Sequence, residues 1–175
     1  NDDSYAAHVN LSRLYQAQGS LDNAIEHSRR AIEILPEEPV GYYNLAVCFH
    51  LQDRADDAAV LYKTVIEIDP DHARAYNNLA LINQEQEKFS EAIKQFQLAV
   101  QANPRFYTAM VNLGEVHREQ GQWKEAEAAY RDALAVNPQY APAHLFLGRV
   151  LARQRRTADA VEAMQQATGL SPSWV

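Results

Sequence analysis

A single cysteine, Cys48, stands among 175 residues, so no disulfide can close within the chain. That favours a reducing compartment, with the cytoplasm as the expected location. No uninterrupted apolar run approaches the ~20 residues needed to cross a bilayer, so membrane insertion is not expected. Six glycines and seven prolines are too few for a sheet protein with many tight turns. Positive charge is scarce as well: 16 basic residues stand against 23 acidic ones, a net charge of −7. Nucleic-acid binding relies on basic patches that displace counterions from phosphates, so this balance speaks against it. The sequence has no Gly-Lys-Ser phosphate loop and no His-Glu-x-x-His zinc motif, and one thiol cannot build a Cys-rich metal site. No cofactor, metal or catalytic residue is therefore expected.

What is present is ordinary globular composition, 47% hydrophobic and 22% charged, rich in the helix formers Ala, Leu, Glu and Gln. It is also periodic. Pro36, Pro70, Pro104, Pro138 and Pro172 recur every 34 residues. Leu11, Leu45, Leu79, Leu113 and Leu147 keep the same step, as do Ala24, Ala58, Ala92, Ala126 and Ala160. Ser12, Ala46, Ala80, Gly114 and Gly148 form a column of small residues. Five copies without insertion follow, at 5–38, 39–72, 73–106, 107–140 and 141–174, read as a single domain over 1–175.

Each copy reads as two helices. In the second, Tyr42, Leu45, Ala46 and Phe49 follow the i, i+3, i+4, i+7 pattern of a buried stripe. After a break at 52–55, Asp56 and Asp57 open another helix, where carboxylates suit the positive end of the dipole. Ala58, Leu61, Tyr62, Val65 and Ile66 form its stripe, and Asp69-Pro70 closes it. The small column is expected to let the two helices approach closely.

His8, Leu11, Ser12, Tyr15, Ala24, Ala31 and Pro36 of the first copy match the pattern of the tetratricopeptide repeat (TPR) family, and the resemblance spans all five copies. Ser28, Asn83, Leu151 and Met164 depart from it at aromatic positions. The resemblance implies an all-α fold, a right-handed α-solenoid of five helical hairpins whose first helices line a concave groove. It further implies a non-catalytic adaptor that binds a protein or peptide. His8, His117 and His144 are expected to be packing residues with satisfied ring nitrogens, and Cys48 an inert buried thiol.

At about 100° per residue, the face opposite the buried stripe carries the second, sixth, ninth and thirteenth residues of each copy. Its sixth position holds Asn10, Asn44, Asn78 and Asn112, then Phe146. Asn is a poor mid-helix residue, because its amide competes with the backbone for hydrogen bonds. Facing outward, such a row could bind the C=O and N–H groups of an extended peptide. Packed helices ~8–10 Å apart would spread four amides over roughly 27 Å, about eight residues of extended chain. Asn44-Leu45, Asn78-Leu79 and Asn112-Leu113 resemble the asparagine ladder of peptide-binding TPRs, including that of O-GlcNAc transferases. Val40, Val47, Leu51 and Leu81, flanked by Tyr43, read as an apolar docking patch. Glu115 and Glu119 would favour basic residues of a partner, and Arg149 and Arg153 acidic ones. Compared with chaperone-type carboxylate clamps, Asn44 and the basic Arg74 are kept, with Arg13 beside them. A self-assembling scaffold and a substrate-recruiting segment of a larger enzyme are the competing functions. Exposed Val161, Met164 and Leu170, with an acidic second copy and a basic fifth, would support weak end-to-end association.

Overall fold

The structure is a computed structural model that describes residues 4–170, so Pro172 and the last residues of the fifth copy lie outside the described residues. The described residues form ten helices. In chain order they are α1 (Tyr5–Ala17), α2 (Leu21–Ile34), α3 (Pro39–Leu51), α4 (Ala55–Ile68) and α5 (Ala73–Glu85). There follow α6 (Phe89–Ala102), α7 (Tyr107–Glu119), α8 (Trp123–Val136), α9 (Ala141–Arg153) and α10 (Thr157–Leu170). Every odd-numbered helix has 13 residues and every even-numbered one 14, as a strict 34-residue repeat requires.

Both kinds of turn are repeated as faithfully as the helices. After each first helix, the N–H groups of Ser20, Arg54, Lys88, Gln122 and Arg156 donate to the carbonyls of Tyr15, Phe49, Asn83, His117 and Leu151 at 2.8–3.0 Å. These are the long bonds of a Schellman closure, which needs a left-handed residue just past the helix. Gly19 and Gly121 fill that position with φ of +75° and +69°. Asp53, Glu87 and Arg155 fill it in the other copies at φ 58°, 58° and 62°, where a Cβ is crowded. After the second helices, the N–H groups of Glu38, His72, Phe106 and Tyr140 reach back to Leu35, Asp69, Asn103 and Asn137 at 3.0–3.2 Å. Pro36, Pro70, Pro104 and Pro138 follow the acceptors directly, the position where a fixed φ presets a tight turn. The side chains of Asp69, Asn103 and Asn137 brace three of these turns by accepting the N–H two residues on.

Contacts group the chain into two compact units, one running to Ile82 and the other from Asn83. In the N-terminal unit, α1 packs on α2, α2 on α3 and α3 on α4, with α1 also touching α3. Its core holds Leu45, Phe49, Tyr62, Val65, Leu79 and Ile82. In the C-terminal unit, α6 packs on α7, α7 on α8, α8 on α9 and α9 on α10, around Met110, Tyr130, Leu147, Val150 and Leu151. The small column lets the helices approach as expected, and its glycines meet large side chains of the second helices. A Cβ placed on Gly114 would lie 2.5 Å from Tyr130 Cε1, and one on Gly148 would lie 2.7 Å from Met164 Cγ. In the first copy the same contact is polar: Ser12 and Ser28 are fully buried and share a 2.7 Å hydroxyl bond. Ser28 is thus a satisfied substitute for an aromatic ring.

Three stability changes follow. Gly114→Ala should cost about 1–3 kcal/mol, because the Tyr130 ring is fully buried and cannot step aside. Gly148→Ala should cost less, since Met164 is flexible; chemical denaturation of both variants checks the order. Glu87→Gly should stabilise by about 0.5–1 kcal/mol, by relieving the left-handed strain against the extra entropy of glycine. That is a rise in melting temperature of a few degrees, readable by circular dichroism.

Candidate functional site

The face opposite the buried stripe carries the sixth-position amides in three different states. Asn10 on α1 is exposed. Asn44 on α3 is buried, only 4% exposed, and its Nδ2 donor has no hydrogen-bond partner. Asn78 on α5 is half-buried and engaged: its Nδ2 donates to the hydroxyls of Tyr62 at 3.0 Å and Tyr43 at 3.2 Å, and its Oδ1 accepts from Asn77 Nδ2 at 3.1 Å. The expectation of amides uniformly open to solvent is corrected for these two. The cause is lateral packing of the first helices in the N-terminal unit. Gln16 of α1 reaches across to α3, where its Nε2 donates to the Asn44 carbonyl at 2.8 Å and to Cys48 Sγ at 3.2 Å.

Around Asn44 the apolar patch is present. Val40 and Val47 are half-buried and Leu51 is 59% exposed on α3, while Leu81 on α5 is half-buried. Tyr43 is half-buried, its ring centroid 5.0 Å from His72 and 5.8 Å from Tyr62. Burial raises the Tyr43 hydroxyl pKa, offset in part by Arg74 and by the bond to Asn78. Burial holds Tyr62 far above the usual phenol range, so it stays a neutral hydroxyl. Burial likewise lowers His72 and raises the Cys48 thiol, which agrees with an inert cysteine. Arg13 and Arg74 are both exposed.

In the C-terminal unit, Asn112 and Glu115 are half-buried on α7, and Glu119 is exposed. Glu115 is already bound. It receives the Tyr130 hydroxyl and the guanidinium of Arg118, whose Nη2 lies 3.0 Å away. Glu119 accepts both of its bonds from Gln84 Nε2 at 3.1 Å. These two carboxylates therefore serve the helix packing first. The hydrogen bond that Arg118 donates to Glu115 raises Arg118 further, while burial, followed by that carboxylate, raises Tyr130. On α9, Phe146 is half-buried, and Arg149 and Arg153 are exposed. The Arg149 guanidinium lies 5.8 Å from the Phe146 centroid. Val161 and Leu170 are exposed on α10, but Met164 is half-buried because it fills the space over Gly148, which corrects the expectation of a third exposed residue.

The histidines are packing residues with bonded rings. His8 Nδ1 pairs with His27 Nδ1 at 2.9 Å, His117 with Gln122, and His144 Nε2 with the Pro138 carbonyl at 2.9 Å. Gln16 and Gln84 went unnoticed in the sequence. Their signal was a polar twelfth position, Gln16, His50, Gln84 and Arg118, one turn beyond the buried stripe. A second signal was Gln18, Gln52, Gln86, Gln120 and Gln154, invariant at the end of the first helices. From that place Gln154 Nε2 reaches the Trp123 carbonyl at 3.1 Å.

A family model described as the cilia and flagella-associated protein 70 C-terminal domain, a TPR domain, matches residues 2–173. The chain belongs to this family. No curated protein matches this TPR chain. Among solved structures it is similar to that of PilF from Pseudomonas aeruginosa, at 23% identity and TM-score 0.89, covering 97% of this chain and 78% of that one. It is similar to MamA at 21% identity and TM-score 0.82, covering 93% and 95% of the two chains. YrrB, described as a TPR protein with an unusual peptide-binding site, matches at 18% identity and TM-score 0.75, over 99% of this chain and 90% of that one. These likenesses establish the all-α TPR fold. No helix among the described residues is long and apolar enough to cross a membrane.

The two amides of α3 and α5 should respond in opposite ways to alanine. Asn78→Ala leaves the buried Tyr62 hydroxyl without its amide partner and should cost about 1–3 kcal/mol. Asn44→Ala removes an orphan donor in favour of a better helix former, so its melting temperature should hold or rise. Equal losses in thermal melts would show that the Asn44 amide is bonded after all.

Proposed function

We propose that this TPR chain is a protein–protein interaction module that binds an extended segment of a partner polypeptide along the groove-side face of its first helices. The observation that carries the reading is on α3. There exposed Leu51 and half-buried Val40 and Val47 form an apolar strip on the face opposite the buried stripe. An apolar side chain of a partner offers cover for the patch, and the exposed Asn10 amide can bond a peptide backbone. Tyr43 and Leu81 border the patch, with Arg13 and Arg74 placed for acidic neighbours. Phe146, Arg149, Arg153, Glu115 and Glu119 form the corresponding face of the C-terminal unit. TPR chains are in general binding modules rather than catalysts, which fits a site with backbone-directed donors and no nucleophile.

The test begins with affinity capture by the full chain, followed by mass spectrometry to define the bound segment as a synthetic peptide. Leu51→Asp should then weaken binding about tenfold or more, since burying a carboxylate against an apolar side chain costs more than 1.4 kcal/mol. Asn10→Ala should weaken it severalfold, the net worth of one hydrogen bond being about 0.5–1.5 kcal/mol. Unchanged affinity in both variants, measured by calorimetry, would place the binding surface elsewhere.

A further inference from the structure

Within the C-terminal unit, a cavity of about 400 Å³ opens among Arg118, Trp123, Arg149, Val150, Arg153 and Met164. We propose that it is an acidic-peptide pocket, taking two carboxylates and a neighbouring apolar side chain from a Glu-x-Glu-x-Leu type segment of a partner protein. The proposal rests on the reading of the chain as a polypeptide-binding module, and adds the chemistry of one subsite.

The charges argue for the occupant. The chain carries a net charge of −7, and its acidic residues outnumber its basic ones. Arg118, Arg131 and Arg156 are accordingly paired with Glu115, Glu127 and Asp159. Among the described residues, Arg149 and Arg153 have no ion-pair partner, a state they share with exposed Arg13 and Arg74, but only they are neighbours on one helix beside a cavity. Glu115 is held by Arg118 and the Tyr130 hydroxyl, and Glu119 by Gln84. Two guanidinium groups thus stand at the mouth of a cavity with nothing to neutralise them.

Spacing and lining refine the ligand. Arg149 and Arg153 are one helical turn apart on α9, which places their Cβ atoms about 5–6 Å from each other. Alternate side chains of an extended peptide leave the same face about 6.6–6.8 Å apart, at ~3.3–3.4 Å per residue. A Glu-x-Glu pair therefore meets both guanidiniums, each able to bind a carboxylate through two N–H groups. The next side chain on that face reaches the wall of half-buried Trp123 and Met164, which suits leucine. Gln154 fixes this wall by donating to the Trp123 carbonyl at 3.1 Å, tying the end of α9 to the start of α8.

Trp123 also provides the readout. The chain has two tryptophans, so a Trp174→Phe background leaves Trp123 as the sole indole. The full chain would be titrated with acetyl-Gly-Glu-Ser-Glu-Ser-Leu-Gly-amide and with the same peptide bearing Gln for Glu. The Glu peptide should produce a saturable change in Trp123 emission, and the Gln peptide should bind about tenfold or more weakly. Arg149→Gln combined with Arg153→Gln should give a similar loss with an unchanged helical spectrum, because both side chains are exposed. Affinity for the Glu peptide should fall severalfold between about 0.05 and about 0.3 M salt. Equal binding of the two peptides, an unaffected double variant, or no saturable change would each overturn the pocket. If the pocket fails while Leu51→Asp still weakens the captured segment, the groove reading stands without it.

Discussion

The whole chain depends on one contact made inside its hairpins, where a small residue of the first helix meets a large side chain of the second. Gly114 against Tyr130 is the tightest instance, leaving no room for even a methyl group. Close approach there brings the neighbouring alanines to full burial, as Ala126 and Ala133 show on α8. A helix pair this close buries its apolar stripes against each other. The remaining flanks must be buried by the next pair, because one repeat cannot cover both of its faces.

Local geometry and packing support the same answer. Each Schellman closure takes its acceptor from the residue that also packs as the first aromatic column, so turn and core are set by one position. Asn83 and Leu151 at this position keep the closure because the bond uses the backbone carbonyl, not the side chain. The Ser12–Ser28 pair shows the same tolerance from the other side. Two hydroxyls that satisfy each other can replace a ring, provided both partners change. The left-handed position is less forgiving, and Asp53, Glu87 and Arg155 are held there by the helices on either side.

Function is confined to what this packing leaves over. Asn78 is absorbed into a hydroxyl network with Tyr43 and Tyr62, and Glu115 and Glu119 into bonds with their neighbours. Asn44 and the arginine pair of α9 are not absorbed. Asn44 keeps a buried donor without a partner, and Arg149 and Arg153 stay without a carboxylate partner among the described residues.

Length, step and helix pairing were legible in the sequence because a 34-residue repeat is enforced five times over by proline, leucine and alanine columns. So was the close approach of the two helices of each copy, since a column of small residues lies on the stripe fixed by the helical period. The left-handed turn was harder to see. Gly19 and Gly121 mark it, but three copies carry other residues there. What only the tertiary structure decided was which outward positions are free. A helical wheel places Asn10, Asn44 and Asn78 on one face and cannot distinguish them. The distinction comes from side chains of other helices: Gln16 crossing onto α3, and Tyr43 and Tyr62 meeting the amide of Asn78. Periodicity determines which direction a residue points from its own helix. Its exposure and its hydrogen bonds belong to its neighbours, and those are set by packing between helices.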